Sequence, residues 1–185
     1  MPLTPDDVAN EAAERLSWPF DFRLEAGPRG LEFSVDGITE FRHIGSEAAG
    51  GAFVLLPRMQ RVLYVSSEGQ AGIIAADFEE FIQLIVACPY WHDVLNFSAN
   101  GNLAEMRRAA AALEATLDDE DEVNEARDLV RSDLALAEVA DPVAALHRAV
   151  SSSDVIVRAP DGNPFTSLLG RFTIDDSPLL RDAID

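Results

Sequence analysis

Lysine is missing altogether: all fourteen basic residues of this 185-residue chain are arginine. That absence excludes Schiff-base catalysis, the phosphate-gripping lysine of Walker loops and the lysine of protein kinases. Cysteine is nearly missing too. The single thiol, Cys88, cannot form an internal disulfide, and it sits among Ile85, Val86 and Ala87. It has no cationic neighbour or helix N-terminus to lower its pKa, so a buried, inert thiol is expected. No apolar run approaches the roughly 20 residues of a membrane span. The opening stretch, MPLTPDDVANEA, is acidic where a secretory signal would be basic and then apolar. A reducing cytoplasm is the expected location.

Positive charge is also scarce. Fourteen basic residues stand against 33 acidic ones, for a net charge of −19. A nucleic acid or an anionic membrane surface would be repelled over most of such a protein, so neither is an expected partner. The acidity serves solubility in one reading. In a sharper one it attracts a basic protein partner.

The residues that usually carry chemistry are scattered. His43, His92 and His147 share no metal-ligand spacing, and one cysteine cannot complete a thiolate site. The run Asp118 to Glu122, DDEDE, lacks the spaced ligands and the glycine of a calcium loop and reads as a solvated loop. Gly45 to Gly51, GSEAAGG, has no lysine and leads into a strand, whereas phosphate-cradling loops lead into a helix. It reads as a flexible connection. Ser66-Ser67-Glu68-Gly69 would occupy a hairpin turn, without the strand-to-helix geometry of a nucleophile elbow. Glu79 and Glu80 are adjacent on one helical turn and point in different directions, so they are no flanking carboxylate pair. The expectation is a protein that is not an enzyme and uses no cofactor or metal.

Structure is legible where chemistry is not. From Gly50 to Trp91 the chain reads as three strands, Ala52 to Leu56, Arg61 to Ser66 and Ala71 to Ala75, each rich in β-branched, aromatic or leucine side chains. The loops between them hold four residues each, which favours antiparallel neighbours and predicts a meander. A helix follows, with Asp77 and Glu80 spaced as an Asp version of the capping box and Phe78, Phe81, Ile82 and Ile85 on one apolar stripe. That stripe is predicted to close over one face of the sheet.

Before the meander, a first helix is predicted to start at Thr4, with Pro5 at its first position, Leu3 stapled to Val8, and Val8, Ala12 and Leu16 on its apolar face. Trp18-Pro19 ends it. Phe20 to Glu25, Leu31 to Val35 and Ile38 to Ile44 read as extended, which brings the sheet to about five or six strands. After Trp91, helices are predicted over Leu103 to Leu117, over Val123 to Ala137, and from an Asp141 cap with Pro142 at the first position. They should form an antiparallel layer packed on the sheet. Val155 to Arg158 reads as a short strand, Pro160-Asp161-Gly162 as a turn and Phe165 to Ile174 as a last apolar segment. The fold class expected is α+β, with residues 1–95 as the sheet-containing part and 96–185 as a helical extension.

The candidate contact surface is Pro89-Tyr90-Trp91-His92-Asp93, read as a loop after the helix. Tyrosine and tryptophan are enriched at interface hot spots, and Glu68 and Glu79 supply acidic surface beside them. The same aromatics could instead plug the space between sheet and helices.

The pieces Gly50-Gly51, Tyr64, Ser67-Glu68-Gly69 and Asp77-Phe78-Glu79-Glu80-Phe81 resemble the SUKH superfamily. Its members show a glycine-rich lead into a strand, a second strand with an aromatic, an acidic turn, and a third strand passing into a helix. The similarity covers roughly the first half of the chain. Leu16-Ser17-Trp18-Pro19 stands where the family often has a tryptophan-containing Leu-Pro segment, and the part from Asn96 onward resembles an extension of some bacterial relatives. The resemblance implies an α+β fold without catalytic residues. In many bacterial members it implies an immunity protein that neutralises a cognate toxin, many such toxins being basic nucleases, and in others a regulatory scaffold. A small-molecule site between sheet and helical layer is a third reading.

Overall fold

The computed structural model describes residues 2–25, 32–57, 60–117, 120–152 and 154–184. In chain order these form helix α1 (Asn10–Ser17) and strands β1 (Arg23–Leu24), β2 (Ser34–Val35), β3 (Arg42–Ser46), β4 (Ala52–Leu56), β5 (Arg61–Val65) and β6 (Ala71–Ala75). Helices α2 (Phe78–Ala87), α3 (Trp91–Asn96), α4 (Leu103–Ala115), α5 (Glu120–Asp133) and α6 (Pro142–Ser151) follow, then strand β7 (Val157–Arg158) and helix α7 (Pro178–Asp182). The fold is α+β. The main sheet is antiparallel in the order β1-β3-β4-β5-β6, and β2 pairs with β7 in a separate ribbon.

The meander forms where the side-chain pattern places it, because both faces of the sheet are buried and period-two alternation fixes the register. Phe53, Val62, Tyr64 and Ile74 point to the helical side and join a core with Phe81, Ile85, Trp91, Met106, Val130 and Leu146. Val54, Leu56, Leu63, Val65 and Ile73 point the other way and are covered by Val35 and Val157 of the small ribbon, with Phe33, Phe41 and Phe165 around them. Helices after Asn96 thus share one core with the sheet-containing part. α6 lies on β6 and α2, and α5 on α1 and α2.

Several boundaries differ from the expectation. The first helix is split: Thr4 and Asp7 cap only a single 3-10 turn, Pro5–Asp7, and α1 begins at Asn10. Glu80 does reach back, but to the amide of Ala76 (2.6 Å) while Asp77 accepts the Glu80 amide (2.8 Å), so the reciprocal bond falls one residue earlier than in a capping box. Only Arg23 and Leu24 pair within Phe20 to Glu25, since Phe20 and Phe22 serve as core anchors at 1% and 0% exposure. The third extended run shifts toward the C-terminus, so that Gly45 and Ser46, expected in a flexible connection, belong to β3. Gly45 must be glycine there: a Cβ would stand 2.3 Å from the Phe22 ring and 2.5 Å from the Arg23 carbonyl. Glu47 to Gly51 then make a tight turn, with the Glu47 amide donating to Gly51 O and the Gly50 amide to Glu47 O, both at 3.2 Å.

The last apolar segment is an irregular strap. Its Thr166 exchanges bonds with Gly69 and Ala71 beside β6, and Gly170 bonds Leu95 and Asn100 at the start of the helical layer. α5 begins three residues before the predicted Val123, and α7, for which no helix is predicted, starts at Ser177-Pro178 with proline at its first position. Leu31 and Asp118-Asp119, which carried parts of the predicted strand and acidic loop, lie outside the described residues. Among the described residues no helix is long and apolar enough to cross a membrane.

Candidate functional site

The segment predicted as a contact loop is the entry to α3, and its five residues part company. α2 ends at Cys88, whose amide bonds Leu84 O, and the chain turns directly into α3 at Trp91. A helix throws successive side chains in different directions. Trp91 points inward: it is 1% exposed and meets Tyr64 edge-on, with ring centroids 5.1 Å apart. Trp91 is therefore core and is no surface contact, the plug that the sequence offered as the alternative. Tyr90, His92 and Asp93 stay at or near the surface, on two neighbouring concavities.

The first concavity is a groove of about 360 Å³ lined by Trp18, Pro19, Pro89, Tyr90, Asp93 and Glu122 among others. Trp18 is 69% exposed, against 1% for Trp91. It follows α1 and is carried by the same loop whose Phe20 and Phe22 are buried, so the chain is anchored on one side while the indole remains in water. Beneath the groove Tyr90 donates its hydroxyl to Glu114 Oε2; burial raises the phenol's pKa, and this bond raises it further. Glu114 is gripped through both oxygens by Arg127, at 2.6 and 2.8 Å, and Arg127 also donates to Val86 O and Ala87 O at the C-terminus of α2. This pair bolts α2, α4 and α5 together, and the guanidinium holds the Glu114 carboxyl below the usual carboxylate range.

The second concavity, about 410 Å³, lies on the other side of Asp93 and is lined by Glu47, Tyr64, Glu68, Gln70, His92 and Asp93 among others. Glu47 is its unusual member. Its side chain is only 8% exposed, and the Tyr64 hydroxyl donates to Oε1 at 2.6 Å. The two can meet because residue 51 is glycine: a Cβ there would come within 2.5 Å of both Glu47 Oε1 and the Tyr64 hydroxyl. Burial pushes the Glu47 carboxyl above its ordinary value, against the lowering effect of the Tyr64 bond, and the negative charge of Asp21 raises it further. His92 Nε2 lies 3.2 Å from Glu47 Oε2 yet makes no hydrogen bond. Desolvation holds the imidazole pKa down to about 4, so the ring is neutral at pH 7 and the contact is not an ion pair.

Of the six residues singled out from the sequence, Glu68, His92 and Asp93 come together on the cleft, and Tyr90 and Asp93 on the groove. Glu79 joins neither: its carboxylate accepts the amide of Leu3 at 3.1 Å and ties the N-terminus to α2. Sequence reading missed Trp18 and Glu47 as site residues. The cue for Glu47 was faint, a tyrosine on a strand face otherwise apolar, whose hydroxyl must find a partner once buried. Cys88 is 1% exposed, and burial raises its thiol to about 12. Among the described residues no group of three or more His, Cys, Asp or Glu side chains is placed to hold a metal ion.

Compared with known family models, curated proteins and solved structures, the chain matches none.

Proposed function

We propose that this chain is a non-enzymatic protein-binding module of the SUKH type, which docks a basic protein through the Trp18–Tyr90 groove. A toxin neutralised by the module is the partner that the resemblance favours. The observation carrying the reading is the indole of Trp18, 69% exposed beside Tyr90, with the carboxylates of Asp93 and Glu122 around the same groove. An exposed tryptophan next to prolines and a tyrosine held by its hydroxyl is the composition of an interface hot spot. The acidic rim and the net charge of −19 select a basic partner and speed its arrival.

The test is titration calorimetry of the chain against basic proteins encoded by adjacent genes. Binding at micromolar affinity or tighter is expected for one of them, weakened about tenfold or more by Trp18→Ala and reduced by added salt. If no neighbour binds, or if Trp18→Ala binds as well as the parent, the reading is wrong.

A further inference from the structure

Glu47 is a carboxylate drawn out of water into a cleft whose described lining residues supply no positive charge. The geometry points to a guanidinium group as the missing counterpart: this cleft receives an arginine side chain of the docked protein. The inference rests on the protein-binding reading above and adds a second, chemically defined pocket to the same surface, continuous with the groove at Asp93.

The side chain of Glu47 is more than nine-tenths withdrawn from solvent, and among the described residues lining the cleft there is no arginine. Its charged neighbours have the wrong sign. Asp21 acts on Glu47 itself, Glu68 and Asp21 act on Tyr64, and Asp93 stands at the mouth. Carboxylates buried to this degree ordinarily have a cation beside them. The converse holds elsewhere in the chain, where the buried guanidinium of Arg127, 8% exposed, is met by the half-exposed carboxylate of Glu114.

His92 supplies an independent sign. Its Nε2 is buried with no hydrogen-bond partner and faces Glu47 Oε2 across 3.2 Å. With the neutral ring protonated at Nδ1, Nε2 and Oε2 are two acceptors 3.2 Å apart, a spacing that donor N–H groups of one guanidinium can serve. Gln70, Asn96 and Ser67 add further acceptors around the opening. Acceptors spread over a cleft of about 410 Å³ suit a planar group with five N–H donors better than the compact charge of an ammonium.

The experiment uses the 15N-labelled full chain at pH 7 and low salt, titrated with an acetylated, amidated tripeptide carrying a central arginine, with its citrulline counterpart, and with agmatine. The arginine peptide is expected to produce saturable shifts at the amides of Gly51, Tyr64, Ser67 and His92. The citrulline peptide should bind about tenfold more weakly or worse, since it keeps the shape and loses the charge. Glu47→Gln and, at the exposed mouth, Glu68→Gln should each weaken the arginine peptide several-fold; the second keeps the test decisive if the first fails to fold. Equal binding of citrulline, shifts spread over the acidic surface away from the cleft, or undiminished binding by both variants would overturn the assignment. Tighter binding of agmatine than of the peptide would overturn the side-chain source in favour of a free amine. Trp18→Ala should leave the peptide titration unchanged. Loss of protein docking with the peptide site intact then marks failure of the groove reading alone, and the converse marks failure of the cleft.

Discussion

Arg127 and Glu47 each leave 8% of the side chain exposed, and the fold treats them in opposite ways. Arg127 is answered on every side: by both oxygens of Glu114, by two carbonyls at the end of α2 and by Asn124 at 2.9 Å. Glu47 has neutral partners only, the Tyr64 hydroxyl on Oε1 and the backbone amide of Gly51, with the neutral imidazole of His92 near Oε2 making no hydrogen bond. A buried ion paired with an opposite charge holds elements in place, whereas one bonded only by neutral groups keeps an uncompensated charge. The first region is where the fold is bolted, and the second is where we propose that it binds.

Arg127→Met should have the largest effect, because it nearly keeps the volume while leaving Glu114 and the α2 carbonyls without their donor. A loss of about 3 kcal/mol in urea unfolding is expected. A loss below about 1 kcal/mol would show that the bolt is ornamental. Tyr64→Phe should cost about 1–2 kcal/mol, because Glu47 Oε1 then loses its donor while staying buried. Glu47→Gln should go the other way. The amide still accepts the Tyr64 hydroxyl and carries no charge, so stability at pH 7 should hold or rise by up to about 1 kcal/mol.

The smallest effect is the most diagnostic, and it lies in the pH dependence. The folded-state pKa of Glu47 is raised above its ordinary 4.5. Its contribution is therefore fully present below 4.5 and is lost as pH rises through the folded value. Glu114 is shifted down by Arg127, so its contribution is present above the ordinary value and lost on acidification. His92, lowered from 6.5 to about 4, also loses its contribution as pH falls across that window. Unfolding followed from pH 4 to 7 should show Glu47→Gln steepening the rise of stability with pH, and His92→Asn flattening it. Equal slopes in all three proteins would remove the distinction between the two regions.

Much of the scaffold is readable in the amino-acid sequence. β4 and β6 match the predicted bounds and β5 comes within one residue, because each strand is a short apolar run between turn formers and both sheet faces demand burial. Asp77 and Asp141 cap the helices they were expected to cap, accepting the amides of Glu80 and Ala144 at 2.8 Å each. The N-terminal third was less legible. Phe20 and Phe22 look like strand residues by propensity, and tertiary packing uses them as irregular anchors. The site was legible only in part. Tyr90, His92 and Asp93 were marked by residue type alone, and the same criterion marked Trp91, which is core.

What the amino-acid sequence determined by itself is local: the alternation of the meander, the caps of α2 and α6, the exclusion of lysine chemistry and the negative field of 33 acidic residues. These follow from neighbours a few positions apart or from composition, and need no knowledge of what lies across the core. The tertiary structure decided which tryptophan faces water, and it brought Glu47, Tyr64 and His92 to one cleft although they are separated along the chain by 17 residues and more. Burial and pairing across such separations arise only when sheet and helices close on one another, and they leave an ordinary glutamate 8% exposed with its pKa raised.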